Sequence, residues 1–113
     1  MNPLSQIAVD LKQKGYPQDI RVGDMTFAAQ GNQYIEFRGD MSILGPNWVK
    51  VPSLVNIQNQ LRDCNYTLSH SYTEYAGVVT TEEWVLTDTS SASWIDENVW
   101  VVMAKYWEFK KGK

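Results

Sequence analysis

Tyr66-Thr67-Leu68-Ser69-His70-Ser71-Tyr72-Thr73 is the stretch that decides how the rest of this chain reads. Large side chains alternate with small hydroxyl side chains along its whole length. A period of two marks a β-strand, because successive side chains leave opposite faces of the pleat. Glu74-Tyr75-Ala76-Gly77 follows as a turn. Val78 to Thr87 then returns as the partner strand, with Thr81, Glu83, Val85 and Thr87 on one side and Glu82, Trp84 and Leu86 on the other.

Upstream of this hairpin, Pro52-Ser53 opens a helix that runs to about Cys64, with Ser53 placed as its N-cap. Leu54, Ile57 and Leu61 mark one face of it. The same arrangement stands earlier in the chain at a constant offset. Leu4, Ile7 and Leu11 are followed by Gly15-Tyr16 as the later set is followed by Asn65-Tyr66. Gly and Asn are the residue types that best tolerate the left-handed backbone at a helix exit. The pattern predicts an internal α-β-β duplication, with pseudo-repeat halves 3–38 and 53–88.

The first helix is expected over about Pro3 to Lys14, with Asn2 as cap and Lys12 and Lys14 complementing the dipole at its end. Ile20-Arg21-Val22 reads as a short strand, and Met25, Phe27 and Ala29 as a second extended run. Gln30 to Gln33 turns into a returning strand, Tyr34 to Arg38. Met41 to Asn47 is the loop between the halves, and Trp48 to Val51 an extended lead-in. After the polar linker Asp88–Ser93, a final helix is expected over 94–111, with Asp96 and Glu97 in its first turn and Gly112 as its stop. Ile95, Val99, Val102, Met103 and Tyr106 form a broad apolar stripe on it, and Trp100 and Trp107 a second stripe beside the first.

Helices separated by hairpins give the expected fold class: α+β, a two-layer sandwich with an antiparallel sheet of four to five strands and about three helices. A length of 113 residues suits a single domain spanning 1–113. Leu54, Ile57, Leu61, Leu68, Trp84, Leu86, Val99, Val102, Met103 and Tyr106 are its expected core.

Composition narrows the function classes. A net charge of −3 argues against a general nucleic-acid binder, which would carry a basic face, and leaves a basic protein partner open. Cys64 is the single cysteine, so an internal disulfide or a cysteine-rich zinc site is excluded. The N-terminus has no signal-peptide pattern, and the longest apolar run, Val99 to Ala104, is far short of a membrane span. A soluble, cytoplasmic protein is the expectation.

The chemistry-bearing residues specify no reaction. His70 is the single histidine and has the pKa range of a general base, with Glu74, Glu82 or Glu83 as orienters. It also shares the alternation of Tyr66, Leu68 and Tyr72, and a half-buried place on a sheet face explains it better. Cys64 would serve as a nucleophile if His70 approached it, but no cationic cluster adjoins it, and a small core hydrophobe is the simpler reading. Asp19, Asp24, Asp40 and Glu82-Glu83 have no calcium-loop spacing. Gly23, Gly31 and Gly39 fit turns, not a phosphate cradle. A non-enzymatic protein is therefore expected, with no cofactor and no metal.

Five tryptophans remain, and a small core needs only one stripe per helix. Trp94, Trp100 and Trp107 are the candidate interaction residues, for a protein partner or for weak self-association as a homodimer. The leading expectation is an interaction or structural accessory protein. An acidic inhibitor or immunity-type protein would instead show a contiguous patch of Glu74, Glu82, Glu83, Asp88 and Asp96. A small enzyme would need Cys64 and His70 in one pocket.

The order Pro52-Ser53-Leu54, Ile57 and Leu61, then the aromatic hairpin Tyr66 to Leu86, then a terminal helix around Glu97, Trp100 and Ala104 resembles small phage- and prophage-encoded α/β sandwich proteins. The likeness covers residues 51–111. It implies a phage or prophage origin and, since those proteins are largely without assigned activity, no particular reaction.

Overall fold

Both Leu/Ile/Leu segments form helices, and their ends show how local sequence sets them. In the computed structural model, which describes residues 3–28 and 32–113, α1 spans Pro3–Gln13 and α2 spans Leu54–Gln60. The Tyr16 N–H reaches the Leu11 carbonyl and the Gly15 N–H the Lys12 carbonyl, with Gly15 at φ +94°. This is the Schellman exit, and its accompanying apolar contact is made by Tyr16 and Leu11, both buried in the main core. At the other helix, the Ser53 side chain accepts from the Asn56 N–H while the Asn56 side chain accepts from the Ser53 N–H, a reciprocal cap.

Among the described residues the strands fall into two sheets, each three-stranded and antiparallel. The first comprises β1 (Met25–Ala28), β2 (Gln33–Glu36) and β3 (Trp48–Val51), with β1 in the middle. The second comprises β4 (Tyr66–Tyr75), β5 (Val78–Asp88) and β6 (Ser93–Asp96), with β5 in the middle. Helix α3 closes the chain over Val99–Lys111. The α+β class holds; the single sheet of four to five strands is replaced by these two.

Three further expectations are corrected. Trp94–Asp96 is strand, not helix, because the helix start belongs to Asn98. The Asp96 carboxylate takes the Asn98 N–H, the Asn98 side chain takes the Trp100 N–H, and Asp96 and Glu97 thus precede the first turn. Ile20-Arg21-Val22 forms no strand. The Arg21 N–H is taken by the Asp24 carboxylate and the Arg21 carbonyl by the Asp24 N–H, which makes the segment a turn, and the Gln18 side chain, rather than a strand backbone, accepts the Lys50 N–H at 2.9 Å. The first half therefore has no strand at the place that β4 holds in the second, although β2 lies at the helix offset from the middle of β5. Asn65, unlike Gly15, does not adopt the left-handed conformation. Ala29, Gln30 and Gly31, read as strand end and turn, and the Asn2 cap lie outside the described residues.

Helix α3 organises the interior. It contacts β5 and β6 of the second sheet, and also α1 and α2, while α1 in turn packs on β3. Tyr106 faces the second sheet, with Tyr66 and Trp94 edge-on at 5.2 and 5.3 Å. Trp107, about 100° further round the helix, meets Tyr16 behind α1 at 4.9 Å. A helix packed on different faces by a sheet and by other helices needs apolar residues over most of its circumference. Of the expected core, Ile57, Leu61, Leu86, Val102, Met103 and Tyr106 are buried, and Leu54, Leu68, Trp84 and Val99 are partly buried against them. Leu11, Tyr16, Ala104 and Trp107 complete the cluster.

Candidate functional site

The second sheet outgrows the helix that covers it. β4 and β5 stay paired from Tyr66 opposite Asp88 to Tyr75 opposite Val78, with one irregularity at Thr73/Glu74. The connecting Ala76-Gly77 has φ of 53° and 80°, both positive, the tight turn whose twist matches a hairpin. β6 pairs with β5 only over Trp84–Thr87. Beyond that point every residue from Ser69 to Glu83 is exposed, on both faces of the ribbon. This is a projecting arm. Its reach shows in a radius of gyration of 15.8 Å, where a compact chain of this length would give about 13 Å.

The outer arm is apolar for a free surface: Tyr72 is 59% exposed, Tyr75 77%, Val78 64% and Val79 53%. At its base, His70 stacks on Trp84 at 4.1 Å and an interplanar angle of 19°. The His70 Nε2 lies 2.8 Å from the Glu82 Oε1, and the Trp84 Nε1 donates to that same oxygen at 3.3 Å. His70 thus lies on the sheet face its alternation assigned, but exposed there rather than half-buried. Glu82 is the acidic partner that the sequence placed within its reach.

Cys64 has different neighbours. Its thiol is pushed up by burial and by the Asp63 carboxylate, the opposite of what a nucleophile needs. The nearby Lys111 ammonium is held by both Asp63 oxygens, at 2.9 and 2.8 Å. No hydrogen bond or ring contact joins Cys64 to His70. Among the described residues, no group of three His, Cys, Asp or Glu side chains is arranged to hold a metal ion.

The acidic residues divide. Asp88 is buried, accepts from the Tyr106 hydroxyl at 2.6 Å and the Ser90 hydroxyl at 2.8 Å, and has Lys110 at 3.5 Å. These groups, Tyr106 foremost, hold its carboxyl well below the usual range, so Asp88 is a structural anchor and no part of a surface patch. Glu82, Glu83, Asp96 and Glu97 instead rim a hollow of about 570 Å³ where the arm rises past β6. Between Asp63 and Ala104 the sequence has no Lys or Arg to offset them.

The three tryptophans are not gathered on one face. Trp94, on β6, is half-buried against Tyr106 and Phe109. Trp100, in the first turn of α3, donates its Nε1 to the Pro52 carbonyl at 2.7 Å and lines a cleft of about 520 Å³ with Leu4, Met25, Tyr34 and Val51. Trp107 is 3% exposed, and its Nε1 is without a hydrogen-bond partner among the described residues. The outer stripe expected from Trp100 and Trp107 is interior at Trp107, because Tyr16 and α1 cover it. The arm was missed as a surface, although a signal for it existed: strands this long exceed the usual ~5–6 residues and outrun one short helix.

No described helix is long and apolar enough to cross a membrane. Comparison with known proteins finds no family model, curated protein or solved structure that matches the chain.

Proposed function

We propose that this chain is a non-enzymatic accessory protein that binds another protein through the arm formed by β4 and β5. One observation carries this reading: residues 69–83 are exposed on both faces while displaying Tyr72, Tyr75, Val78 and Val79. A two-stranded ribbon with no packing partner is marginal in water. Exposed apolar groups on such a ribbon are an aggregation hazard unless a partner covers them. Tyr is also among the residues that dominate binding energy at protein interfaces. The binding surface on this reading is the arm, not the tryptophan set, and the resemblance to phage-encoded sandwich proteins is compatible with an accessory role.

The test compares wild-type protein with a Tyr75→Asp/Val79→Asp variant. Both should melt at the same temperature, since neither side chain is buried. Affinity capture and sedimentation at rising concentration should show an association made by the wild type and lost by the variant. Identical behaviour of the two proteins in both assays refutes the arm as a binding surface.

A further inference from the structure

We propose that the uncovered edge of β5 beside Val79–Glu83 accepts an extended, lysine- or arginine-bearing segment of a partner protein as an additional strand. This inference rests on the reading of the arm as a binding surface and names what the arm takes. Three observations converge on the edge.

First, β6 leaves β5 at the pairing of Asp96 with Trp84, so among the described residues no strand pairs with that side of β5 from Val79 to Glu83. Backbone donors and acceptors on an open edge are a ready template for another strand. Second, two adjoining hollows lie along the edge, and Thr81, Glu82 and Glu97 line both. One, of about 640 Å³, is lined by Val79, Glu82, Trp84, Glu97 and Val99. The other, of about 570 Å³, is lined by Tyr72, Thr81, Glu83, Ile95 and Asp96. Because side chains of a strand leave alternately to its two faces, an added strand along this edge would carry its side chains past the hollows and their carboxylates.

Third, charge selects the occupant. Glu82, Glu83, Asp96 and Glu97 surround the edge, and no salt bridge among the described residues engages Glu83, Asp96 or Glu97. A second copy of this chain pairing edge to edge would set these carboxylates against their like, an arrangement that disfavours self-pairing. Nucleic acid carries the wrong sign. A basic extended peptide satisfies both the backbone and the carboxylates.

The probe is a decapeptide alternating lysine with threonine, titrated into the uniformly labelled full chain and followed by amide resonances. Expected are saturable shifts centred on Val79–Glu83 and slowed exchange of their amides. Glu83→Gln and Glu97→Gln, both at exposed positions, should each weaken binding by about twofold to fivefold. The same decapeptide N-methylated at alternate residues, and its glutamate counterpart, should not bind. Equal binding of the N-methylated peptide would reduce the effect to charge alone and overturn the added strand. Binding of the glutamate peptide, or no binding of the lysine peptide, would also overturn it. If the lysine peptide fails while Tyr75→Asp/Val79→Asp still abolishes an association of the whole protein, this inference falls and the arm reading stands; if that variant is also silent, both fall.

Discussion

Replacing Trp107 by Ala separates an interior α3 from one with an outer face. The indole is 3% exposed and packs edge-on against Tyr16 at 4.9 Å. A tryptophan buries ~150–250 Å², worth ~4–6 kcal/mol at ~25 cal/mol per Å². Two smaller terms reduce that. Ala keeps part of the contact, and the Nε1 that finds no acceptor stops costing its desolvation, ~1–3 kcal/mol. The expected net loss is ~3–4 kcal/mol, within the range measured for large-to-Ala changes in cores. A chain of this length has a total stability of about 6–17 kcal/mol, so the variant should still fold. Urea unfolding followed by circular dichroism measures the loss directly, as a lower midpoint at unchanged slope. Trp107→Phe is the control: it keeps a ring against Tyr16, removes the orphaned donor and should cost about 1 kcal/mol or less. A Trp107→Ala variant within about 0.5 kcal/mol of wild type, the range of ordinary surface changes, would refute the interior placement.

Removing the reciprocal cap of α2 with Ser53→Ala should destabilise by ~0.5–2 kcal/mol, measured in the same urea titration. Stability should also fall at both ends of the pH scale, for opposite reasons. The folded pKa of Asp88 is depressed, chiefly by the Tyr106 hydroxyl, so its contribution is present above the ordinary carboxylate value and is lost as pH drops below about 4. Asp88→Asn should flatten that acid limb, and an unchanged limb would contradict it. Burial raises the phenols of Tyr16, to about 12, and of Tyr106 and Tyr66. The folded state then binds more protons than the unfolded one above pH ~10, and stability declines from there upward. Tyr16→Phe should reduce the decline between that pH and about 12, as read from melting temperatures.

Elements whose cause lies within a few residues were legible. The alternation from Tyr66 to Thr73 marked β4, Ser53 the start of α2, and Gly15 with Tyr16 the exit of α1; the hairpin turn was read over Glu74 to Gly77, of which Glu74 and Tyr75 belong to β4. β6 was not legible: at Ser93–Asp96 it is too short for alternation to register, and its acidic end next to Asn98 imitates a helix start. The apolar circumference of α3 was read correctly except at Ile95, which lies exposed on β6, but what covers the helix was not. One helix reports how much of its surface is apolar, not which neighbours supply the cover. Glu82 stood beside Glu74 and Glu83 as an acidic candidate for His70, whereas the choice among them and the stack of His70 on Trp84 needed the actual pairing.

The sequence by itself determined helices, hairpin, acidic balance and most of the core, because propensity, capping and periodicity act over one or two turns or pleats. Only the tertiary structure decided that the strands divide into two sheets, that Trp107 is interior, and that β4 and β5 run on past their cover as an exposed arm. Those outcomes depend on where distant segments meet: β3 on β1, α1 and α2 on α3, β6 on only part of β5. Exposure is a difference between an element's length and its partner's, and no local pattern records the partner.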